Sequence, residues 1–221
     1  MYSTSITIGD WETFITRELV DYLDTNYQTI PNRNSRGLAG HSMGGYGTMR
    51  LGMKYPEVYS SIYVLSACCR EGQVTTDPEN MENIEAIASV EQLEEAPFRI
   101  MAQLASAASW APNPNNPPLY LDLPFVNGEV RPDIASKIAA NRTLYAIEQY
   151  IPNLRKLNAI AMDAGILDTR IHASTKKLHE LLELYKIAHF YESYDGDHGN
   201  RIPERIQTKT LPFFSKNLAF K

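Results

Sequence analysis

Residues 38–47 read LAGHSMGGYG, and within them Gly40-His41-Ser42-Met43-Gly44 fits the pattern G-x-S-x-G. That pattern describes a serine held on a sharp turn between a strand and a helix, with glycines where the backbone must bend and the two elements must approach closely. The surroundings fit it. Residues 36–41, RGLAGH, read as a short buried strand, and residues 43–55 as a helix ended by Pro56. Ser42 would then stand exposed at a helix N-terminus, where the N–H of Met43 and the helix dipole are placed to hold an oxyanion. Ser42 is the candidate nucleophile and Met43 the candidate oxyanion donor; an ordinary turn serine is the alternative.

Working outward, residues 10–27 carry Trp11, Phe14, Ile15, Leu19, Tyr22 and Leu23 at helical spacing, with Asp10 as N-cap. Residues 60–69, SSIYVLSACC, read as a second buried strand. Residues 157–163 (LNAIAMD) read as a third strand, 170–186 as an amphipathic helix, and 187–195 (IAHFYESYD) as a fourth strand. Residues 203–218 read as a closing helix, opened by Pro203 and kinked near Pro212. Strands alternating with helices predict an α/β fold, a mostly parallel sheet with helices on both faces, whose chemistry gathers beyond the carboxyl ends of the strands.

Residues 70–152 interrupt that alternation. Acidic helix-like pieces precede APNPNNPPLYLDLP, residues 111–124, whose five prolines make regular structure there improbable. The expectation is a single domain over 1–221 with a helical and loop-rich, lid-like insertion over 70–152. Trp110, Tyr120 and Phe125 are its candidate substrate contacts, with core packing as the alternative.

A serine hydroxyl needs a base. Of five histidines, His172 and His179 fall on the exposed face of the 170–186 helix, His189 falls inside the fourth strand as a packing residue, and His41 should point away from its neighbour Ser42. His198, in the Gly-rich loop YDGDHGN after the last strand, is the candidate base. The acid comes from AMDAGILD. Asp168, beyond Gly165, is favoured over Asp163, which sits nearer the strand end and caps the turn; Asp195 and Asp197 flank the histidine too closely and read as turn residues. The order Ser42, Asp168, His198 is the chain order of an α/β-hydrolase triad.

Composition narrows the alternatives. Hydrophobic residues make up 43% and charged residues 21%, enough for a core. The net charge of −5 argues against nucleic acid and anionic membranes as partners. No apolar run approaches the roughly 20 residues that span a bilayer. The first residues lack a basic and an apolar region, so they do not read as a signal peptide and suggest a cytoplasmic protein, or a secreted one if the front is truncated. Cys68 and Cys69 are adjacent and read as two buried thiols. No P-loop, dinucleotide fingerprint or metal-ligand spacing is seen, so neither metal nor organic cofactor is expected.

The stretches GDWETFITRELVDYLDTNYQTI and RGLAGHSMGGYGTMRLGMKYPEVYSSI resemble the esterase D-like putative esterases of the α/β-hydrolase class, which include feruloyl and acetyl esterases and S-formylglutathione hydrolases. The resemblance is strong over residues 9–66 and returns at AMDAGILD and YDGDHGN. It implies Ser42 as nucleophile, Asp168 as acid, His198 as base and the Met43 N–H as one oxyanion donor. It implies a serine carboxylesterase acting on short-chain acyl or aryl esters. Acyl transfer and feruloyl ester hydrolysis are the alternatives within the fold, and a non-catalytic binding module the alternative outside it.

Family members carry a longer segment before the GDWE helix, which supplies further strands and a second oxyanion N–H. By that comparison the fold is reduced at its N-terminus. The 36–41 strand would present an unpaired edge, and loss of one oxyanion donor would cost on the order of 3 kcal/mol. A homo-oligomer paired through that edge is the resulting expectation.

Overall fold

The computed structural model describes residues 1–71 and 77–221. The chain forms two compact units. One comprises Tyr2, residues 14–70 and 146–221; the other comprises Met1 and residues 3–13 and 71–145.

The first unit is built on a four-stranded parallel sheet: β1 (Gly37–His41), β2 (Ser61–Leu65), β3 (Ala159–Gly165) and β4 (Phe190–Tyr194), in the order β1-β2-β3-β4. Gly37 pairs with Ser61, Ser61 with Ala159, and Ala161 with Phe190. The sheet is flanked by helices, as the alternation predicted. Helix α1 (Met43–Lys54) lies against the face that presents Ile62, and a Cβ on Gly52 would meet the Ile62 side chain. Tyr63 and Leu65, one residue out of phase, face the other way, onto Ile202, Phe213 and Phe214 of the closing helix. Helix α2 (Thr169–Leu184) connects β3 to β4, burying Leu178 and Leu182.

Two expectations need correction. The 36–41 strand is not buried like β2, all five residues of which are inside; β1 is half-exposed because among the described residues it pairs on one side only. The helix expected over 10–27 runs over 11–26 but contains a π-helical segment, Phe14–Glu18. The apolar stripe of its part in this unit stays largely in solvent, with Phe14, Leu19, Tyr22 and Leu23 between 36% and 57% exposed.

A buried charge network joins the closing helix to the sheet. Arg205 donates from Nε and Nη2 to Asp163 Oδ2, at 3.0 and 2.8 Å, and from Nη1 and Nη2 to Glu192 at 3.0 and 2.8 Å. Tyr63 donates its hydroxyl to the same Asp163 oxygen at 2.9 Å. Burial pushes the Asp163 carboxyl above its ordinary value, against the pull of Arg205 and Tyr63.

The second unit packs helices Pro78–Glu85 and Phe98–Trp110 around Met81, Ile84, Ile100, Leu104, Leu121 and Phe125. Residues 112–124 form no helix and only an isolated bridge from Pro112 to Leu121, as their prolines predicted; Asn113 holds the loop by donating to Asp122 at 3.0 Å. Among the described residues no helix is long and apolar enough to cross a membrane.

Candidate active site

Ser42 lies between β1 and α1 with φ 57° and ψ −115°, a conformation that a non-glycine residue adopts at a cost of roughly 1–3 kcal/mol. Its own N–H is already used, donating to Leu65 O at 3.0 Å, so the β1–β2 ladder runs up to the serine. Its carbonyl accepts from Tyr46 N at 3.0 Å and Cys68 N at 3.1 Å. The turn is possible because strand and helix approach to near-contact: a Cβ on Gly40 would fall 2.3 Å from the Gly44 carbonyl oxygen. Met43 opens helix α1, and first-turn N–H groups have no acceptor within the helix.

The Ser42 hydroxyl is 2.9 Å from His198 Nε2, and His198 Nδ1 is 2.6 Å from Asp168 Oδ2. An ionised carboxylate only accepts, so Nδ1 carries the proton; Nε2 then presents its lone pair to the Ser42 hydroxyl, which donates. Asp168 is the residue before α2, makes no capping bond with its side chain, and directs the carboxylate at the histidine. Asp163, the other aspartate considered, is spent on Arg205 and Tyr63. Asp168 and His198 are brought together by Gly165, where a Cβ would fall 2.2 Å from Gly196 O; Leu167 N donates to that same carbonyl at 3.1 Å.

The histidine loop is held from two sides. Asp197 accepts from Gly199 N and Asn200 N, both at 2.8 Å, which lowers its pKa and makes it a turn residue. His41 was expected to turn away from the serine; its Nε2 donates to the carbonyl oxygen of His198 at 2.7 Å, and the two rings lie 4.6 Å apart. No sequence pattern marks that contact, because it joins residues 157 positions apart. Arg70 is a second such residue: it is 1% exposed and donates to Ile171 O at 3.3 Å and Ser174 Oγ at 3.0 Å, anchoring the start of α2 just after Asp168.

The remaining residues singled out from sequence fall as follows. Trp110 is 4% exposed in the core of its own unit, donating from Nε1 to Ser3 Oγ at 3.2 Å, and Phe125 is 2% exposed there. Tyr120 is 46% exposed. Cys68 and Cys69, expected as buried thiols, are half-buried and bonded to each other.

A family model described as putative esterase matches residues 8–202. An esterase of Mycobacterium tuberculosis is 37% identical over 46 residues, a match covering 21% of this chain and 10% of that protein. The S-formylglutathione hydrolase of Paracoccus denitrificans is 37% identical over 49 residues, covering 22% of this chain and 17% of that protein. Among solved structures, a ferulic acid esterase superposes with a TM-score of 0.60 at 17% identity over 98% of this chain and 66% of its own, a likeness of fold. The chain therefore spans less than two thirds of these relatives' length.

Proposed function

The chain belongs to the putative esterase family, and from that premise we propose that it is a serine carboxylesterase acting on short-chain acyl or aryl esters of small molecules. The observation that carries the reading is the unbroken hydrogen-bonded line from Ser42 through His198 to Asp168, at 2.9 and 2.6 Å. In this reading Ser42 Oγ attacks the ester carbonyl while its proton passes to His198 Nε2. Asp168 holds the ring in the needed tautomer and balances the imidazolium. The oxyanion is held by the Met43 N–H at the start of α1. Collapse of the tetrahedral intermediate breaks the C–O bond to the alcohol, which leaves with the proton from His198. The acyl group stays on Ser42. Water then attacks the acyl-enzyme, giving its proton to His198, and the acid is released as Ser42 regains its proton.

Self-association belongs to the same proposal. The half-paired strand β1 lies beside a groove of about 550 Å³ lined by Leu19, Leu23 and Leu38 among others. A second copy pairing along this edge would satisfy it. Solution mass tests that point: a dimer is expected, reverting to monomer in Ala39→Lys, whose charge falls on the exposed edge.

The experiment for the activity is labelling by a fluorophosphonate probe together with hydrolysis of p-nitrophenyl acetate, beside Ser42→Ala. Ser42-dependent labelling and turnover are expected. Absence of both from the folded protein would leave a binding module that keeps the turn without the chemistry.

A further inference from the structure

His179, Glu183 and His189 stand apart from the Ser42 site, and their sequence spacing matches no metal-binding pattern. The fold nevertheless assembles them. His179 and Glu183 are four residues apart on α2, so they share one face of the helix. His189 follows the turn out of α2 and directly precedes β4. His179 Nδ1 lies 2.7 Å from His189 Nε2, Glu183 Oε1 lies 3.9 Å from the same nitrogen, and the three donor atoms all fall within 4.8 Å of one another.

The tautomer of His189 is set by its other nitrogen. Nδ1 is 2.7 Å from the Ile187 carbonyl oxygen, which can only accept, so Nδ1 carries the proton. Nε2 then directs its lone pair at His179 and Glu183 and accepts from His179 Nδ1–H; a metal ion takes the place of that proton, which moves to His179 Nε2 so that the ring stays neutral. A backbone carbonyl on the outer nitrogen and an unprotonated inner nitrogen is how a metal-binding histidine is oriented. The His189 side chain is 1% exposed and so locked in place. The His179 ring is stacked on Tyr191, centroids 4.4 Å apart and planes 15° apart. Glu183 is 66% exposed and gives the solvent-side approach.

We propose that these three side chains form a binding site for a divalent transition-metal ion, zinc by ligand type. Two imidazoles and one carboxylate suit zinc, with water completing a tetrahedron. Metal–ligand bonds of about 2.0–2.2 Å imply donor separations near 3.3 Å. Binding therefore needs the histidines to part by about half an ångström and Glu183 to close on His189 by a similar amount and on His179, from within 4.8 Å, by up to about 1.5 Å, which rotation of the exposed Glu183 side chain supplies. The charges suit it too: a dication meets one carboxylate and two neutral rings. The site is at the start of β4, whereas Ser42, Asp168 and His198 follow the carboxyl ends of their strands. The ion would clip the end of α2 to the start of β4, and its effect falls on stability rather than on ester chemistry.

The test uses the full chain stripped of metal, with cobalt(II) as the spectroscopic probe and zinc by competition calorimetry. One equivalent per chain is expected, with visible cobalt bands and a Tm that rises with zinc concentration. His179→Ala and Glu183→Gln should each weaken binding by more than the roughly 10–100-fold that an outer partner of a ligand is worth. His198→Ala should bind as the wild type does. Far-UV circular dichroism without metal checks folding, and if His179→Ala does not fold, the exposed Glu183→Gln carries the comparison. No saturable equivalent, wild-type affinity in Glu183→Gln, or loss of binding in His198→Ala would each overturn the site and leave a plain hydrogen bond between two histidines.

Discussion

His41 donates from Nε2 to the carbonyl oxygen of His198 at 2.7 Å, so the residue before the serine holds the backbone of the residue that faces the serine. The two loops of the candidate site are thereby fixed to each other. Replacing His41 with Ala removes one neutral hydrogen bond, worth about 0.5–1.5 kcal/mol. On the proposed mechanism the expected result is a kcat lower by about 3–10-fold for p-nitrophenyl acetate with KM little changed, and a matching slowing of fluorophosphonate labelling. A change confined to KM would show that His41 does not position the histidine.

The two aspartates after β3 separate by experiment. Asp168→Asn should leave the fold intact and lower kcat by about ten-thousandfold, because the amide no longer selects the productive tautomer of His198. Asp163→Ala removes the fully buried one of the two carboxylates that hold Arg205 and leaves Glu192, so the cost should fall below the roughly 3–5 kcal/mol of a buried charge left wholly unpaired. Urea unfolding should report the second change and steady-state kinetics the first.

The sequence made the elements easy to read where one force dominated. β2 and β3 are mostly apolar and buried at every position but Ala159, and G-x-S-x-G marks the turn at Ser42. β1 is less buried than its composition suggests because Leu38 and Ala39 look alike in a central and an edge strand; pairing, not composition, decides burial. The place of Asp168 beyond Gly165 makes it readable as the partner of His198 over Asp163, while the tightness of the bend, with a Gly165 Cβ only 2.2 Å from Gly196 O, shows in the fold alone. The His41–His198 and His179–His189 contacts, and Arg70 under α2, are tertiary contacts that no local sequence pattern marks.

Gly165→Ala tests that bend. The added Cβ would fall 2.2 Å from Gly196 O and 2.7 Å from Asp197 O, both backbone atoms that cannot rotate away. The loops carrying Asp168 and His198 must then part. Overpacking of this kind costs about 1–3 kcal/mol, and a displacement of the order of an ångström costs about a hundredfold in rate. The expected outcome is a modest fall in Tm with a disproportionate loss of kcat. Equal activity would show that the close approach is not needed.

Glu192 makes stability depend on acid. Its hydrogen bonds to Arg205, with Lys209 adding to them, hold its pKa at about 2 against an ordinary value of 4.5. The folded state therefore binds this proton less readily than the unfolded chain does. The group's contribution is present in full above about pH 4.5 and drains away as pH falls towards about 2. Glu192→Gln removes the charge that Arg205 and Lys209 face, at 2.8 and 3.0 Å. The variant should be less stable than the wild type at pH 7, and the gap should narrow between pH 4.5 and pH 2 as the wild-type carboxylate takes up its proton. Urea unfolding of both proteins at pH 7, 4 and 3, with the midpoint compared at each, checks the sign; a gap that widens in acid would show that the carboxylate is not held ionised by Arg205.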